Sequence, residues 1–404
     1  MRGAKIKTEV DLKLFNQRVK IEASMSVIDS DEKYTYKVSH QGVFYVLKGY
    51  KIHIEHLIPG KEVAANSFKN SIGEISEVFQ EYYFAWIASL FNPHFAKPLF
   101  LDYTIELAEN EYSGSYMYIE IIFEYAGTSL NKLGPVTFND AYNLMRQSAN
   151  ALTLLHDIAM VHFDIKPDNM VYDKNSDILK IIDMESASGA VTKKKVTGII
   201  RTFSGEIRST TLEYSPPEVL RDIEGREVQN LKMSLDAIDV YCWAMSFCSM
   251  LLKKTAADLI RDNERYKLKS EEDYKDYIEM TESSLNKIAN RDLVDEDIKN
   301  KVKDLLLPAL SYNPKSRPTM KALVDDMRNF EKQKNIKIKY AQTEAKNNKE
   351  LIKRLIFDEN YLNSKNLSKK ELEQEKEPKV EEFIKPESKK YKDELKKVEG
   401  IFNT

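Results

Sequence analysis

His162-Phe163-Asp164-Ile165-Lys166-Pro167-Asp168-Asn169 is the stretch that decides the fold. It follows a long segment, Phe138–His156, whose apolar residues recur at helical spacing, and it precedes the strand-like run Met170-Val171-Tyr172. The stretch therefore reads as a polar loop between a helix and a strand. It offers a carboxylate, an ammonium group and an amide close together, so it is the first candidate for a functional site.

The order of residues in this loop resembles the catalytic loop of eukaryotic-type protein kinases. Phosphoryl transfer needs a carboxylate to orient the attacking hydroxyl, a cation near the transferred phosphoryl group, and oxygen ligands for magnesium. The resemblance implies that Asp164, Lys166 and Asn169 supply these three groups in that order. An ordinary polar loop is the weaker interpretation, because further motifs of the family follow in the family's order.

Two residues resemble the serine/threonine branch of the family rather than its tyrosine branch. Lys166 lies two residues after Asp164. Thr211 lies seven residues before Glu218, where that branch has the threonine of its substrate-binding loop. The resemblance therefore implies a protein substrate that carries the acceptor hydroxyl on serine or threonine.

Asp183-Met184-Glu185 stands where the family has its magnesium-binding D-F-G motif, at the end of a strand-like run. Asp183 keeps the hard carboxylate that holds Mg²⁺ on nucleotide phosphates, and Met184 replaces phenylalanine as an apolar packing residue. Glu185 replaces the glycine, which restricts the backbone and adds a negative charge near the phosphates. Two roles are open for Glu185: it points to solvent, or it helps to hold the metal.

In the first third of the chain, Tyr45-Val46-Leu47-Lys48 resembles the strand that carries the nucleotide-binding lysine of the family. The resemblance implies that Lys48 contacts the α- and β-phosphates of ATP, with Lys51 as the weaker rival. Phe123-Glu124-Tyr125-Ala126-Gly127 resembles the gatekeeper and hinge. It implies that backbone groups from Glu124 to Ala126 bind the adenine.

In this family the nucleotide-binding lysine pairs with a glutamate on the following helix, and three glutamates are candidates here. We choose Glu81 over Glu74 and Glu77. The usual family spacing, counted back from Pro93, ends at Tyr83 instead, which leaves this choice open.

Three further positions resemble parts of the kinase fold that carry architecture rather than chemistry. Ser215-Pro216-Pro217-Glu218 stands where the family has A-P-E, and Arg317 matches the arginine that pairs with that glutamate. Asp239 matches the aspartate that anchors the backbone of the catalytic loop. We therefore expect a buried ion pair between Glu218 and Arg317.

Two features of the family are missing from the sequence. No glycine occurs between Glu22 and Gln41, so the G-x-G-x-x-G turn over the phosphates is absent, and the matching stretch is near Met25–Asp31. Phe163 replaces the arginine that binds an activating phosphate in most members. We therefore expect low or absent nucleotide affinity, and any activity to be independent of phosphorylation at the acceptors of the activation segment: Thr192, Thr197, Thr202, Ser204, Ser209 and Thr210.

The apolar pattern divides the chain into a β-rich part and a helical part. Strand-like runs at Tyr34–Leu57, Phe100–Leu107 and Tyr116–Tyr125, with one helix at Ser71–Leu90, predict a small antiparallel lobe. Helical spacing dominates from Ser234 to Phe330 and predicts a larger α-rich lobe. The fold class is therefore α+β, a bilobal protein kinase fold. Its expected parts are an N-terminal extension (1–19), a kinase domain (20–332, with lobes at about 20–125 and 126–332) and a charged helical or disordered tail (333–404).

The bulk composition argues against several other classes. The chain has 404 residues, 42% hydrophobic and 31% charged, with a net charge of -3. This balance argues against nucleic-acid binding, and no run is long and apolar enough for a membrane span. Cys242 and Cys248 lie in one apolar stretch and are expected to be buried reduced thiols. We therefore expect a soluble, intracellular, cytoplasmic protein.

The resemblance covers roughly residues 20–330 and implies an ATP-dependent protein serine/threonine kinase, with ATP and Mg²⁺ or Mn²⁺ as cofactors. The alternative is a pseudokinase scaffold with weak or no catalysis. That alternative is motivated by the missing glycines, by Phe163 and by Asp183-Met184-Glu185. A further partner that binds the charged tail is compatible with either function.

Overall fold

A computed structural model of the protein contains both lobes that the sequence predicts. The residues that it describes are 9–12, 17–25, 32–54, 69–107, 114–134, 136–158, 160–189, 211–219, 235–254, 258, 271–288 and 295–336. Residues 26–31 of the stretch that replaces the glycine turn, the activation-segment acceptors from Thr192 to Thr210 and the tail from residue 337 lie outside this part of the chain. The predictions about them stay predictions.

The small lobe is built on a six-stranded antiparallel sheet, which confirms the predicted β-rich lobe. Its strands, in the spatial order β1-β2-β3-β4-β6-β5, are β1 (Glu9–Leu12), β2 (Gln17–Ser24), β3 (Lys33–His40), β4 (Val43–Ile54), β5 (Pro98–Glu106) and β6 (Ser115–Glu124). Two of these strands begin before residue 20, so the sheet includes part of the segment expected to be an extension. The domain boundaries themselves stay predictions.

One helix, α1 (Lys69–Phe91), packs against this sheet, close to the predicted bounds. Its buried apolar residues, such as Ile75, Val78 and Ala85, recur at helical spacing, which gives the helix one face for the sheet. The helix stops just before Asn92-Pro93, because proline disfavours helical conformation in the residue before it. This packing carries Glu81 to the side of the sheet that holds Lys48.

The larger lobe is mainly helical, as predicted. Its helices with described bounds are α2 (Phe138–Asp157), α3 (Asp236–Leu252), α4 (Glu271–Lys287), α5 (Glu296–Ala309) and α6 (Met320–Gln333). Trp243 and Phe247 of α3 are fully buried, and their rings meet edge to face with centroids 5.5 Å apart. Arg146 of α2 donates from Nε to Glu331 Oε1 of α6 at 2.9 Å, which ties the two helices together inside the lobe.

Short strands frame the two loops that carry the predicted chemistry. The first loop, 162–169, lies between β8 (Met160–Val161) and β9 (Met170–Asp173), and the second, 182–187, lies between β10 (Ile178–Ile181) and β11 (Ser188–Gly189). β9 pairs with β10, β8 pairs with β11, and β7 (Thr128–Ser129) adds to β9. The strands that precede and follow the two loops are therefore paired with one another, so the two loops lie side by side. The N–H of Ile182 donates to the carbonyl of Asn169 at 2.9 Å and joins the loops directly.

Two expectations from composition concern the cysteines and the membrane. Cys242 and Cys248 are both buried and free, so the prediction of buried reduced thiols is confirmed. Burial raises the pKa of both thiols, that of Cys248 to about 12. Among the helices that the structure describes, none combines the length and the apolar character that a membrane crossing requires.

Candidate active site

The loop 162–169 is anchored by a buried carboxylate from α3. Asp239 is fully buried, and its two oxygens accept the N–H groups of His162 and Phe163 at 2.9 and 2.8 Å. His156 at the end of α2 also contacts Asp239, through Nε2 at 2.9 Å. A buried carboxylate needs such donors, because leaving it unpaired costs several kcal/mol. The predicted anchoring role of Asp239 is confirmed.

Phe163 holds a strained backbone in this loop. Its φ is +65°, a region that a bulky side chain rarely occupies, and its ring is fully buried. Such strain persists only where neighbouring groups impose it. The hydrogen bond from the N–H of Phe163 to Asp239 is one of these constraints. The ring is an apolar part of the core, so this position offers no cation to an activating phosphate.

Asp164 lies at the centre of a small hydrogen-bonded cluster. Its Oδ1 accepts from both the N–H and the hydroxyl of Thr211, at 2.8 and 2.7 Å. Its Oδ2 accepts from Lys166 Nζ at 2.8 Å and from Asn169 Nδ2 at 3.0 Å. Lys166 Nζ also lies 2.6 Å from Thr211 Oγ1. The structure thus brings together three predicted site residues and the threonine of the predicted substrate-binding loop.

Asp183 lies in the second loop and has a left-handed backbone, with φ at +66°. Its Oδ1 accepts a hydrogen bond from Lys48 Nζ at 2.8 Å, which links the larger lobe to the sheet of the smaller one. Met184 follows it and is buried, as an apolar replacement for phenylalanine should be. Gln80 of α1 donates to the carbonyl of Ala187 at 2.6 Å and fixes this loop against α1.

Lys48 and Glu81 form an ion pair between β4 and α1. The side chain of Glu81 is almost fully buried, and its second oxygen accepts the hydroxyl of Tyr50 at 2.5 Å. Among the three glutamates considered on this helix, Glu74 and Glu77 are exposed. Tyr83, where the family spacing ended, packs on Trp86 with ring centroids 6.3 Å apart. The glutamate that reaches Lys48 is therefore Glu81.

The rival lysine, Lys51, is an odd number of residues from Lys48 on the same strand and so projects from the opposite face of the sheet. Its Nζ lies 4.1 Å from the ring centroid of Tyr116 and 5.7 Å from that of Tyr118. Lys51 is therefore separated from Asp183 by the sheet, and Lys48 is the lysine that joins the two lobes.

Glu185 forms an ion pair with Lys33, the first residue of β3, at 2.5 Å. One of its carboxylate oxygens also lies within 4.8 Å of an oxygen of Glu81 and of Asp183. Neither role considered for Glu185 included a lysine partner, and sequence reasoning missed Lys33. The signal for it is the strand register: Lys33 lies opposite Tyr50, two residues from Lys48 and on the same face of the sheet.

The predicted hinge leads from β6 to β7 and joins the two lobes. The N–H of Glu124 donates to the carbonyl of Lys97 at 3.0 Å, and Glu124 Oε1 accepts from Lys97 N–H and Lys180 Nζ at 2.8 and 2.5 Å. Ala126 packs in a small apolar cluster that includes Val171. Gly127 has φ at +119°, and a Cβ there would meet the backbone of Tyr172 at 2.4 Å, so only glycine fits.

The predicted ion pair between Glu218 and Arg317 is present and buried. The two guanidinium nitrogens Nη1 and Nη2 donate to the two carboxylate oxygens at 2.6 and 2.8 Å. This bidentate geometry is the strong form of an arginine–carboxylate pair. It ties the segment after Thr211 to the loop between α5 and α6.

The charges between the lobes stabilise one another. Burial lowers the pKa of Lys48, but the carboxylates of Asp183 and Glu81 more than offset this and hold that pKa well above its usual value. Burial raises the pKa of Asp183, but the Lys48 ammonium more than offsets it and keeps that pKa well below its usual range. Burial raises the pKa of Glu81. Lys48 is therefore the cation on which both carboxylates depend.

Lys48→Met is expected to destabilise the protein more at pH 8 than at pH 5. In the parent, the lowered pKa of Asp183 gives stability that is present above the unfolded pKa, about 4, and is lost only in strong acid. Without the ammonium, burial and mutual repulsion raise the pKa of both Asp183 and Glu81, so stability falls as pH rises. Between pH 5 and pH 8, the difference in free energy of unfolding between the variant and the parent should grow by about 1–3 kcal/mol. Urea unfolding in the presence of EDTA measures this difference.

Lys51→Met is the matched control, because it removes the same charge from the other face of the same strand. The pH dependence of its free energy of unfolding should match that of the parent. If the free energies of unfolding of Lys48→Met and of the parent differ by the same amount at every pH from 5 to 8, the electrostatic role assigned to Lys48 is wrong.

The fold and this site together define a two-lobed protein of the protein kinase class. The chain belongs to the protein kinase domain family: residues 97–327 match the family model, which is more than half of the chain. It is thus a member of the eukaryotic-type protein kinase superfamily. The match begins after α1, so the part before it contains Lys48, Glu81 and the stretch without glycines.

Similar curated proteins are named as protein kinases. The chain is 31% identical over 120 residues to calcium/calmodulin-dependent protein kinase type 1 of Caenorhabditis briggsae, covering 29% of this chain and 32% of that protein. It is 24% identical over 176 residues to serine/threonine-protein kinase D of Synechocystis sp., covering 42% of this chain and 31% of that protein. The chain thus spans about a third of the length of these relatives.

Proposed function

We propose that the protein is an ATP-dependent serine/threonine kinase, which transfers the γ-phosphoryl group to a protein hydroxyl. The observation that supports this best is the environment of Asp164, whose carboxylate binds Thr211, Lys166 and Asn169 at once. A carboxylate held beside a lysine and beside the substrate-binding threonine has the arrangement that phosphoryl transfer to a hydroxyl requires.

The residues of the site fit a nucleotide with Mg²⁺, or with Mn²⁺. Asn169 uses its amide nitrogen as a donor to the carbonyl and the carboxylate of Asp164, which leaves the amide oxygen as its ligand atom. Asp183 offers a carboxylate that stays ionised at any physiological pH, because its pKa is lowered. Hard oxygen ligands of this kind are those that Mg²⁺ prefers. We assign Asn169 and Asp183 as the residues that hold the metal.

Each remaining residue of the site has a distinct task in this proposal. Asp164 accepts a hydrogen bond from the substrate hydroxyl and aims its oxygen at the phosphorus, while Lys166 offsets the charge on the transferred group. Lys48, oriented by Glu81, binds the nucleotide phosphates. Backbone groups of Glu124 and Ala126 bind the adenine at the hinge. The metal, when bound, neutralises phosphate charge between the nucleotide and the larger lobe.

The preference for serine and threonine follows from Lys166 and Thr211. Lys166 Nζ bridges Asp164 Oδ2 and Thr211 Oγ1, so the lysine and the threonine act as one unit around the catalytic carboxylate. This pairing supports the serine/threonine branch, and the name of the similar Synechocystis protein agrees with it. The protein that serves as substrate depends on surface shape outside this unit.

A pseudokinase scaffold is the second candidate function. The observation that favours it is the group of three carboxylates, from Glu81, Asp183 and Glu185, beside the expected phosphate position. Three carboxylates repel a triphosphate unless cations balance them. Under this alternative the fold would bind partners without turnover.

The experiment that decides between the two is transfer of labelled γ-phosphate from ATP to a generic basic protein, with Mg²⁺ or Mn²⁺. Asp164→Asn, purified in parallel, controls for a contaminating kinase. Hydrolysis of the labelled product should give phosphoserine or phosphothreonine. Equal label with parent and variant, or none with either in a folded sample, would favour the scaffold, and phosphotyrosine would contradict the serine/threonine assignment.

A further inference from the structure

The ion pair between Lys33 and Glu185 joins two positions at which this chain departs from its family. Glu185 replaces the glycine that follows Asp183-Met184, and Lys33 lies two residues after Met25–Asp31, the stretch that stands in place of the glycine turn. Their side chains meet at 2.5 Å across the interface between the lobes. A charge introduced in one lobe is thus matched by an opposite charge in the other.

The register of the sheet places Lys33 on the same face as Lys48. Thr35 lies opposite Lys48, and Lys33 lies two residues before Thr35 on β3. Lys33 Nζ lies 5.3 Å from the ring centroid of Tyr50, whose hydroxyl binds Glu81. The two lysines therefore approach one group of three carboxylates from the same face of the sheet: Lys33 pairs with Glu185, and Lys48 pairs with Glu81 and Asp183.

The charges of this group are unbalanced for a triphosphate. Lys33 and Lys48 carry two positive charges, while Glu81, Asp183 and Glu185 carry three negative ones. Lys48 is 14% exposed and is bound to two carboxylates, whereas Lys33 is 47% exposed and contacts Glu185 near solvent. A lysine ammonium is a mobile point charge on a flexible stem. The Lys33 ammonium can thus move from Glu185 to another anion with little change in its exposure to solvent.

We propose that Lys33 is a second phosphate-binding lysine of the small lobe, held beside the phosphate position by Glu185 until ATP binds. Its ammonium then does for the phosphates what the backbone amides of a glycine turn do elsewhere. This inference rests on the proposed function, since it concerns how the same site binds ATP. It also explains why a chain without those glycines keeps Asp164, Asn169 and Asp183.

The test is a comparison of ATP and adenosine binding by isothermal titration with the 404-residue chain and Mg²⁺. Lys33→Ala alone is ambiguous, because it exposes the Glu185 charge. The decisive pair is Glu185→Gln against Glu185→Gln/Lys33→Ala, in which that charge is absent from both. Loss of Lys33 should raise the ATP dissociation constant about tenfold, as for a charge-assisted contact, and leave adenosine affinity unchanged.

Lys51→Ala is the control for loss of a lysine from the same sheet, and it should bind ATP as the parent does. Equal ATP affinity of the single and double variants overturns the role of Lys33 but leaves the kinase proposal intact. An equal loss for adenosine also overturns it, because adenosine has no phosphate. A parent that binds no ATP overturns both proposals. Melting temperatures within a few degrees of the parent establish that each variant is folded.

Discussion

Asp164→Asn is expected to lower the rate of phosphoryl transfer by about 10²–10⁴-fold, while the affinity for ATP changes by less than about twofold. The carboxylate binds two donors of Thr211 through one oxygen and the donors of Lys166 and Asn169 through the other. An asparagine has the same shape but only one acceptor oxygen, so it can serve one of these pairs and not both. It also lacks the charge that orients an attacking hydroxyl.

A matched control for this variant lies in the same loop. Asp168 is exposed, and its Oδ1 accepts from Asn131 at 3.0 Å, away from the Asp164 cluster. Asp168→Asn makes the same chemical change four residues away and should leave the rate within about twofold of the parent. Steady-state kinetics should place the Asp164→Asn effect in kcat, since ATP binding does not involve this carboxylate. A loss confined to KM for ATP would contradict the assigned role.

The catalytic loop could be predicted from sequence because its chemistry is local. Asp164, Lys166 and Asn169 lie within six consecutive residues, so their mutual contacts follow from their spacing. Asp183 could be predicted because it lies two residues after a strand that pairs with the strand after this loop. In both places, short-range order along the chain fixes which side chains meet.

Contacts between the lobes depend on information that the sequence does not contain locally. The choice of Glu81 was open because the sequence does not fix the position of the helix along the sheet to better than one helical turn. The structure resolves this through burial: Glu81 is buried, and Glu77, one turn earlier, is exposed. Lys33 required the register between β3 and β4, which the stretch between β2 and β3 does not reveal. Asp239, by contrast, was found because its motif is contiguous.

The bidentate pair of Arg317 and Glu218 is the contact of the larger lobe on which stability should depend most. The arginine side chain is fully buried. Besides Glu218 it donates through Nε to the carbonyl of Ser311 at 2.8 Å and through Nη1 to that of Ala237 at 3.1 Å, and its guanidinium lies 4.9 Å from the ring centroid of Tyr241. One side chain thus contacts three parts of the lobe: the segment with Glu218, the helix α3 and the carbonyl of Ser311 after α5.

Arg317→Met is therefore expected to lower the free energy of unfolding by about 3–5 kcal/mol, because it leaves the Glu218 carboxylate buried without its partner. Urea unfolding followed by circular dichroism measures this loss. Arg328→Met is the matched control: that arginine pairs with Asp325 at 3.3 Å on α6 but is 39% exposed, so its loss should cost less than about 1 kcal/mol. Adding Glu218→Leu to Arg317→Met removes the unpaired charge and should restore part of the stability. If the double variant is as unstable as the sum of the two single variants, the cost comes from the lost carbonyl contacts instead, and the pair itself contributes little.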